Sequence, residues 1–138
     1  MIVQNAPVMA GKILVVEDDP DIRRLLDLEL EADGFERAFA SDAVTALTVA
    51  RKEQPDLVIL DLGLPGGDGF LVMERLRSLR DFEMIPIVIL TARTTPEARE
   101  RAEAAGVAAF FDKQFGADEV LATVKQILGR PGNDGGAS

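Results

Sequence analysis

The chain has 138 residues, 47% of them hydrophobic, which suits one ordinary domain with a normal core. Its formal net charge is −9, so the chain itself repels phosphate backbones and anionic membrane surfaces, and direct nucleic-acid binding is not expected. It has no cysteine and no histidine, which excludes disulfides, thiolate and imidazole chemistry, His-ligated zinc and any role as a phosphohistidine carrier.

Met1 to Ala10 lacks the basic start and long apolar stretch of a signal peptide, and reads as an extension before a domain over 11–129. Ile13-Leu14-Val15-Val16 is a continuous aliphatic run of the kind that forms a parallel strand buried on both faces. A helix over Pro20 to Asp33 follows, with Asp19 as N-cap, Pro20 in the first turn, Ile22, Leu25, Leu26 and Ala32 as the apolar stripe, and Gly34 as its stop. Arg37 to Ala40 is the second strand, and Asp42 to Glu53 the second helix, stopped before Pro55. Leu57 to Leu60 is the third strand, and Phe70 to Leu79 the third helix. Ile87 to Leu90 and a helix from Pro96 to Gly106 form the fourth unit; Ala108 to Phe111 and a helix over Ala117 to Leu128 form the fifth. Residues 130–138 are glycine-rich without apolar anchors, and read as a flexible tail or the start of a linker. No apolar run approaches the roughly 18 residues of a membrane span, so a cytoplasmic protein is expected.

Five β-then-α units in series imply a parallel sheet with helices on both faces. Right-handed crossovers at this length favour a flavodoxin-like, doubly wound (βα)5 sheet of strand order 2-1-3-4-5, whose working crevice lies at the carboxyl ends of the strands. Glu17, Asp18 and Asp19 follow the first strand, Asp61 the third, Thr91 the fourth and Lys113 the fifth. Strands 1, 3, 4 and 5 are neighbours in that order, so these side chains are expected to meet on one rim. Crowded carboxylates are unfavourable and are relieved by a hard cation such as Mg²⁺, which takes carboxylates, waters and a phosphate. A carboxylate beside Mg²⁺, facing an amine and a hydroxyl, can accept a phosphoryl group as a covalent nucleophile.

The segments Ile13-Leu14-Val15-Val16-Glu17-Asp18-Asp19-Pro20, Asp61-Leu62-Gly63-Leu64-Pro65-Gly66-Gly67-Asp68-Gly69, Ile89-Leu90-Thr91-Ala92 and Asp112-Lys113 together resemble the receiver domains of two-component response regulators. The likeness runs in order from about Gly11 to Leu128. It implies that Asp61 is the phosphoacceptor, and that Asp18, Asp61 and the backbone carbonyl of Gly63 are Mg²⁺ ligands, with Glu17 reaching the metal through water. It implies that Thr91 closes onto the phosphoryl group, that Lys113 pairs with it, and that Phe110 is an aromatic switch that turns inward as the Thr91 loop moves. The implied donor is a phosphohistidine on a sensor histidine kinase or phosphotransfer protein. The implied product is a self-dephosphorylating switch rather than a turnover enzyme.

One departure stands out. The family lysine is usually followed by a proline in a cis peptide, whereas here it is followed by Gln114. Without proline a cis bond costs about 2.5–4 kcal/mol, so a trans Lys113–Gln114 peptide is expected. The departure keeps a second reading in play, a degenerate receiver used only as a protein-interaction module. An aspartyl-phosphate phosphohydrolase commonly needs a second carboxylate two residues after the nucleophile, where this chain has Gly63. A flavodoxin would want a hydroxyl-rich phosphate loop after the first strand, where this chain has Glu17-Asp18-Asp19. Gly66, Gly67 and Gly69 read as turn formers, since they lack phosphate-loop spacing. Any homodimer is expected on the face of helix 4, strand 5 and helix 5. The small residues Ala98, Ala102, Ala104, Ala105, Ala108 and Ala109, with Thr123, suggest a close apolar contact there with weak salt dependence.

Overall fold

The computed structural model describes residues 11–65, 69–114 and 116–129; the readings of residues 1–10, 66–68 and 130–138 lie outside the described residues. The elements run β1 (Lys12–Val16), α1 (Pro20–Ala32), β2 (Glu36–Ala40), α2 (Ala43–Glu53), β3 (Leu57–Leu60), α3 (Gly69–Arg77), a 3-10 turn (Arg80–Phe82), β4 (Ile87–Thr91), α4 (Pro96–Ala104), β5 (Ala109–Asp112) and α5 (Ala117–Leu128). The sheet is parallel throughout, in the order β2-β1-β3-β4-β5. This is the flavodoxin-like arrangement expected from the sequence.

The central strands are aliphatic over Ile13–Val16, Leu57–Leu60 and Ile87–Leu90 because both faces of the sheet are covered there. Leu14, Val16, Val58, Leu60, Ile87 and Ile89 pack toward α2, α3 and α4, in one cluster with Ala46, Ala50, Met73, Leu76 and Ala102. The alternate residues Ile13, Val15, Leu57, Ile59, Val88 and Leu90 pack toward α1 and α5, against Leu26, Leu30, Val120, Leu121 and Val124. Each fully buried aliphatic side chain is worth about 1.5–3 kcal/mol, so these two layers hold the sheet's register. Among the described residues no helix is long and apolar enough to cross a membrane.

Helix starts follow the capping residues. Asp19 accepts from the amides of Asp21 and Ile22, Asp42 from Thr45 and Thr95 from Ala98, each satisfying donors that the first turn leaves free. The stripe of α1 differs from the one expected: Leu26 and Leu30 are buried, while Leu25 is 46% exposed and Ala32 also faces out. Strand β5 is one residue later than expected, running to Asp112.

The expected apolar surface on α4 is corrected at two of its four alanines, while Ala104 is exposed and Ala105 half-buried. Ala98 and Ala102 are one helical turn apart and both point into the core, at 4% and 0% exposure. The outer side of the helix carries Glu97, Arg99, Glu100, Arg101 and Glu103, all exposed. Small residues let α4 sit close on the sheet, and the surface they leave is mostly charged, with Ala104 exposed among the charges.

Candidate functional site

Backbone bonds just beyond the strands set the rim. The Glu17 amide donates to Ala40 O at 3.0 Å, the Asp61 amide to Val16 O at 3.0 Å and the Lys113 amide to Thr91 O at 3.0 Å. The ladders therefore extend one residue past the strands, and the side chains of Glu17, Asp61 and Lys113 start from fixed positions. Thr91 is the last residue of β4 and is fully buried.

The side chains converge on Asp61. Its Oδ1 accepts from Thr91 Oγ1 at 2.8 Å and from the Gly63 amide at 3.0 Å. Its Oδ2 accepts from Lys113 Nζ at 2.9 Å, and the same ammonium donates to Glu17 Oε2 at 3.0 Å. Asp61 is 5% exposed and Glu17 is 2% exposed, so both carboxylates are held in a partly dry place next to one cation. Burial pushes the Glu17 carboxyl above its ordinary pKa, against the opposing pull of the Asp19 amide and Lys113. Burial would lower the Lys113 ammonium, but its bonds to Asp61 and Glu17 outweigh that and raise it.

Carboxylate oxygens of Glu17, Asp18 and Asp61 lie within 4.8 Å of one another. Three hard oxygen donors at that spacing, with Asp18 exposed at the mouth, fit a divalent cation that keeps part of its water shell. The rim opens as a cleft of ≈ 470 Å³ lined by Asp18, Asp19, Asp61, Gly63, Thr91, Ala92, Arg93 and Lys113. Asp19 borders it, but its carboxylate caps α1. All the expected polar site residues therefore meet at one place. Phe110 lies apart from them: it is half-buried on β5, with the Arg99 guanidinium 4.5 Å from its ring centre.

The sequence reading missed one supporting residue, Arg23, and read another, Gly69, only as a turn former, whereas it is the first residue of α3. Arg23 on α1 donates to the carbonyls of Glu17 and Asp18 at 3.1 and 3.3 Å, bracing the acidic loop from below. Gly69 donates its amide to Leu62 O, and a Cβ built there would lie 2.3 Å from the Asp61 carbonyl oxygen. It is the close approach of α3 to the Asp61 backbone that requires glycine at this position.

The chain matches the response regulator receiver domain over residues 13–125. It belongs to that family. Among curated relatives, this receiver domain is 39% identical over 118 residues to the KDP operon transcriptional regulatory protein KdpE of Escherichia coli, a match covering 86% of the chain and 51% of that protein. It is 37% identical over 122 residues to the Escherichia coli phosphate regulon transcriptional regulatory protein PhoB, covering 88% of the chain and 53% of that protein. The chain thus spans about half the length of these relatives. Among solved structures it resembles a response regulator from Chloroflexus aurantiacus, with a TM-score of 0.80, 33% identity and coverage of 88% and 99% of the two chains. It also resembles the chemotaxis response regulator CheY4 of Vibrio cholerae, with a TM-score of 0.79, 30% identity and coverage of 86% and 98%. Receiver domains bind Mg²⁺ at an acidic pocket, and in this receiver Glu17, Asp18 and Asp61 form an acidic cluster that could hold a metal.

Proposed function

We propose that this receiver domain accepts a phosphoryl group on Asp61 and changes conformation in consequence. The observation that supports it most is the double engagement of the Asp61 carboxylate, by Lys113 at 2.9 Å and Thr91 at 2.8 Å, at the mouth of an acidic cleft. A carboxylate oxygen of Asp61 attacks phosphorus, an acyl phosphate bond forms, and the bond to the donor's nitrogen or oxygen breaks with the electron pair leaving on the donor. Lys113 then has a phosphoryl oxygen to pair with in place of a bare carboxylate, and the Thr91 hydroxyl can swing from Asp61 to the phosphoryl group. Glu17, Asp18, Asp61 and the Gly63 carbonyl would hold Mg²⁺, which when bound neutralises charge on the phosphoryl oxygens. Phe110, one strand away from Thr91, would carry the change toward α4.

The donor in this reading is the phosphohistidine of a sensor histidine kinase or phosphotransfer protein in the cytoplasm, which agrees with a chain that has no histidine of its own. With Gly63 two residues after Asp61, no second carboxylate stands where a hydrolase would use one, so a slowly reversing switch is favoured over a turnover enzyme. A degenerate receiver would be expected to lose an acid or the lysine, and here all of them meet.

Intact-mass measurement after incubation with acetyl phosphate and Mg²⁺ tests this. One phosphoryl group is expected on the native chain, and none on Asp61→Asn or in EDTA. Equal labelling of Asp61→Asn would overturn it.

A further inference from the structure

The residue after Lys113 is Gln114, and it keeps an amide N–H that proline lacks. That N–H donates to Asp112 Oδ1 at 2.9 Å, while the Lys113 amide donates to Thr91 O at 3.0 Å. Both amides flanking the lysine are therefore tied down, one by the β4 backbone and one by a side chain. No peptide bond among the described residues is cis, so the Lys113–Gln114 bond is trans as expected. Asp112 is the last residue of β5 and pairs in register with Thr91, so it is anchored in the sheet itself.

We propose that Asp112 is a positioning residue for Lys113: its carboxylate holds the trans Lys113–Gln114 peptide through the Gln114 N–H, a fixation made by hydrogen bond where a proline would make it by ring. An aspartate accepting from the amide two residues on is a common local turn. What gives this one a part in the chemistry is its load. The turn roots the side chain whose ammonium bridges Asp61 and Glu17, at 2.9 and 3.0 Å. Lysine reaches across on a flexible stem, so small freedom at its backbone becomes large freedom at Nζ. The Asp112 side chain does not touch the reacting atoms; it acts through Lys113.

The proposal rests on the Asp61 reading, and two readouts separate the failures. The first is the initial rate of Asp61 phosphorylation by acetyl phosphate with Mg²⁺. The second needs no phosphorylation: the acylation rate of the Lys113 amine by acetic anhydride, read by peptide mass spectrometry against exposed Lys52. Loss of one hydrogen bond predicts that Asp112→Ala slows phosphorylation about 5–10-fold and speeds Lys113 acylation by a similar factor. Asp112→Asn retains the acceptor oxygen and should stay within about twofold of the native chain on both readouts. In a Gln114→Pro background the N–H is gone, and Asp112→Ala should then change neither readout by more than about twofold. Three results would each overturn the proposal: Asp112→Ala within twofold on acylation, Asn as damaging as Ala, or an Asp112→Ala effect undiminished in the Gln114→Pro background. If native Asp61 takes no phosphoryl group, the functional reading falls, and Lys113 acylation still decides the role of Asp112.

Discussion

The Thr91 hydroxyl donates to Asp61 Oδ1 at 2.8 Å while accepting from the Arg93 amide at 3.0 Å. One buried oxygen thus links the carboxylate at the end of β3 to the loop leaving β4. If the hydroxyl follows a phosphoryl group, the Arg93 amide must follow it or find another acceptor, so the β4–α4 loop feels the state of Asp61 directly.

Thr91→Ala should therefore do two things. It removes a donor that can serve the incoming phosphoryl oxygens, and phosphorylation by acetyl phosphate should slow by about tenfold, the value of one hydrogen bond to a charged group. It also removes the Thr91 hydroxyl that accepts from the Arg93 amide. Thr91→Ser keeps the hydroxyl and should restore most of the rate. A Thr91→Ala chain labelled as fast as the native one would show that the hydroxyl takes no part in transfer.

Adjacent acids in the Glu17-Asp18-Asp19 run should separate cleanly. Asp18 shares the cation-sized cluster with Glu17 and Asp61, whereas the Asp19 carboxylate is committed to the amides of Asp21 and Ile22. Asp18→Ala should weaken Mg²⁺ binding more than Asp19→Ala in a calorimetric titration. Asp19→Ala should cost about 1 kcal/mol of stability through its lost cap, seen as a fall of roughly 4 °C in Tm. The reverse ranking would reassign the two carboxylates.

Two glycines near Asp61 should respond very differently to alanine. At Gly69 a Cβ would meet the Asp61 carbonyl oxygen at 2.3 Å and Leu62 Cα at 2.8 Å, both backbone atoms that cannot turn away. Gly69→Ala should destabilise by about 1–3 kcal/mol and slow phosphorylation, because relief requires Asp61 or α3 to shift. At Gly63 the nearest atom is 3.9 Å away, and Gly63→Ala should stay within about 0.5 kcal/mol. Urea unfolding of both variants checks the contrast.

The legibility of this chain followed the range of the interactions involved. Leu57–Leu60 and Ala117–Leu128 fall where the sequence places them, because aliphatic runs and amphipathic periods are local signals. The rim of Glu17, Asp18, Asp61, Thr91 and Lys113 was legible for another reason: parallel topology alone brings strand ends together. What escaped depends on contacts between elements. Nothing in the spacing of Arg23 says that it reaches the carbonyls of Glu17 and Asp18. Gly69 looks like any loop glycine until α3 is seen against the Asp61 backbone. The N–H of Gln114 is legible as a missing proline, but its partner Asp112 is not.

Helix α4 supplies the last prediction. The alanines read as a docking surface include Ala98 and Ala102, which lie one turn apart in the core, while Glu97, Arg99, Glu100, Arg101 and Glu103 face solvent. Arg101 pairs with Glu74 at 3.4 Å and lies 4.1 Å from the ring centre of Phe70, and Arg99 lies 4.5 Å from that of Phe110, so the two arginines of this surface are held in place. Any self-association of the phosphorylated domain through α4, β5 and α5 should then weaken strongly with salt. Exposed charges separated by more than about 10 Å are screened at 0.1 M salt, and nearly all are at 1 M. Sedimentation at low and high salt reads this, and a salt-indifferent dimer would contradict it. Ala102→Glu belongs to a different experiment, since it places a carboxylate in the sheet-facing core with no partner. It should cost about 3 kcal/mol or more and lower Tm in the unphosphorylated monomer, at any salt concentration. An Ala102→Glu chain as stable as the native one would mean that α4 turns its other side to the sheet.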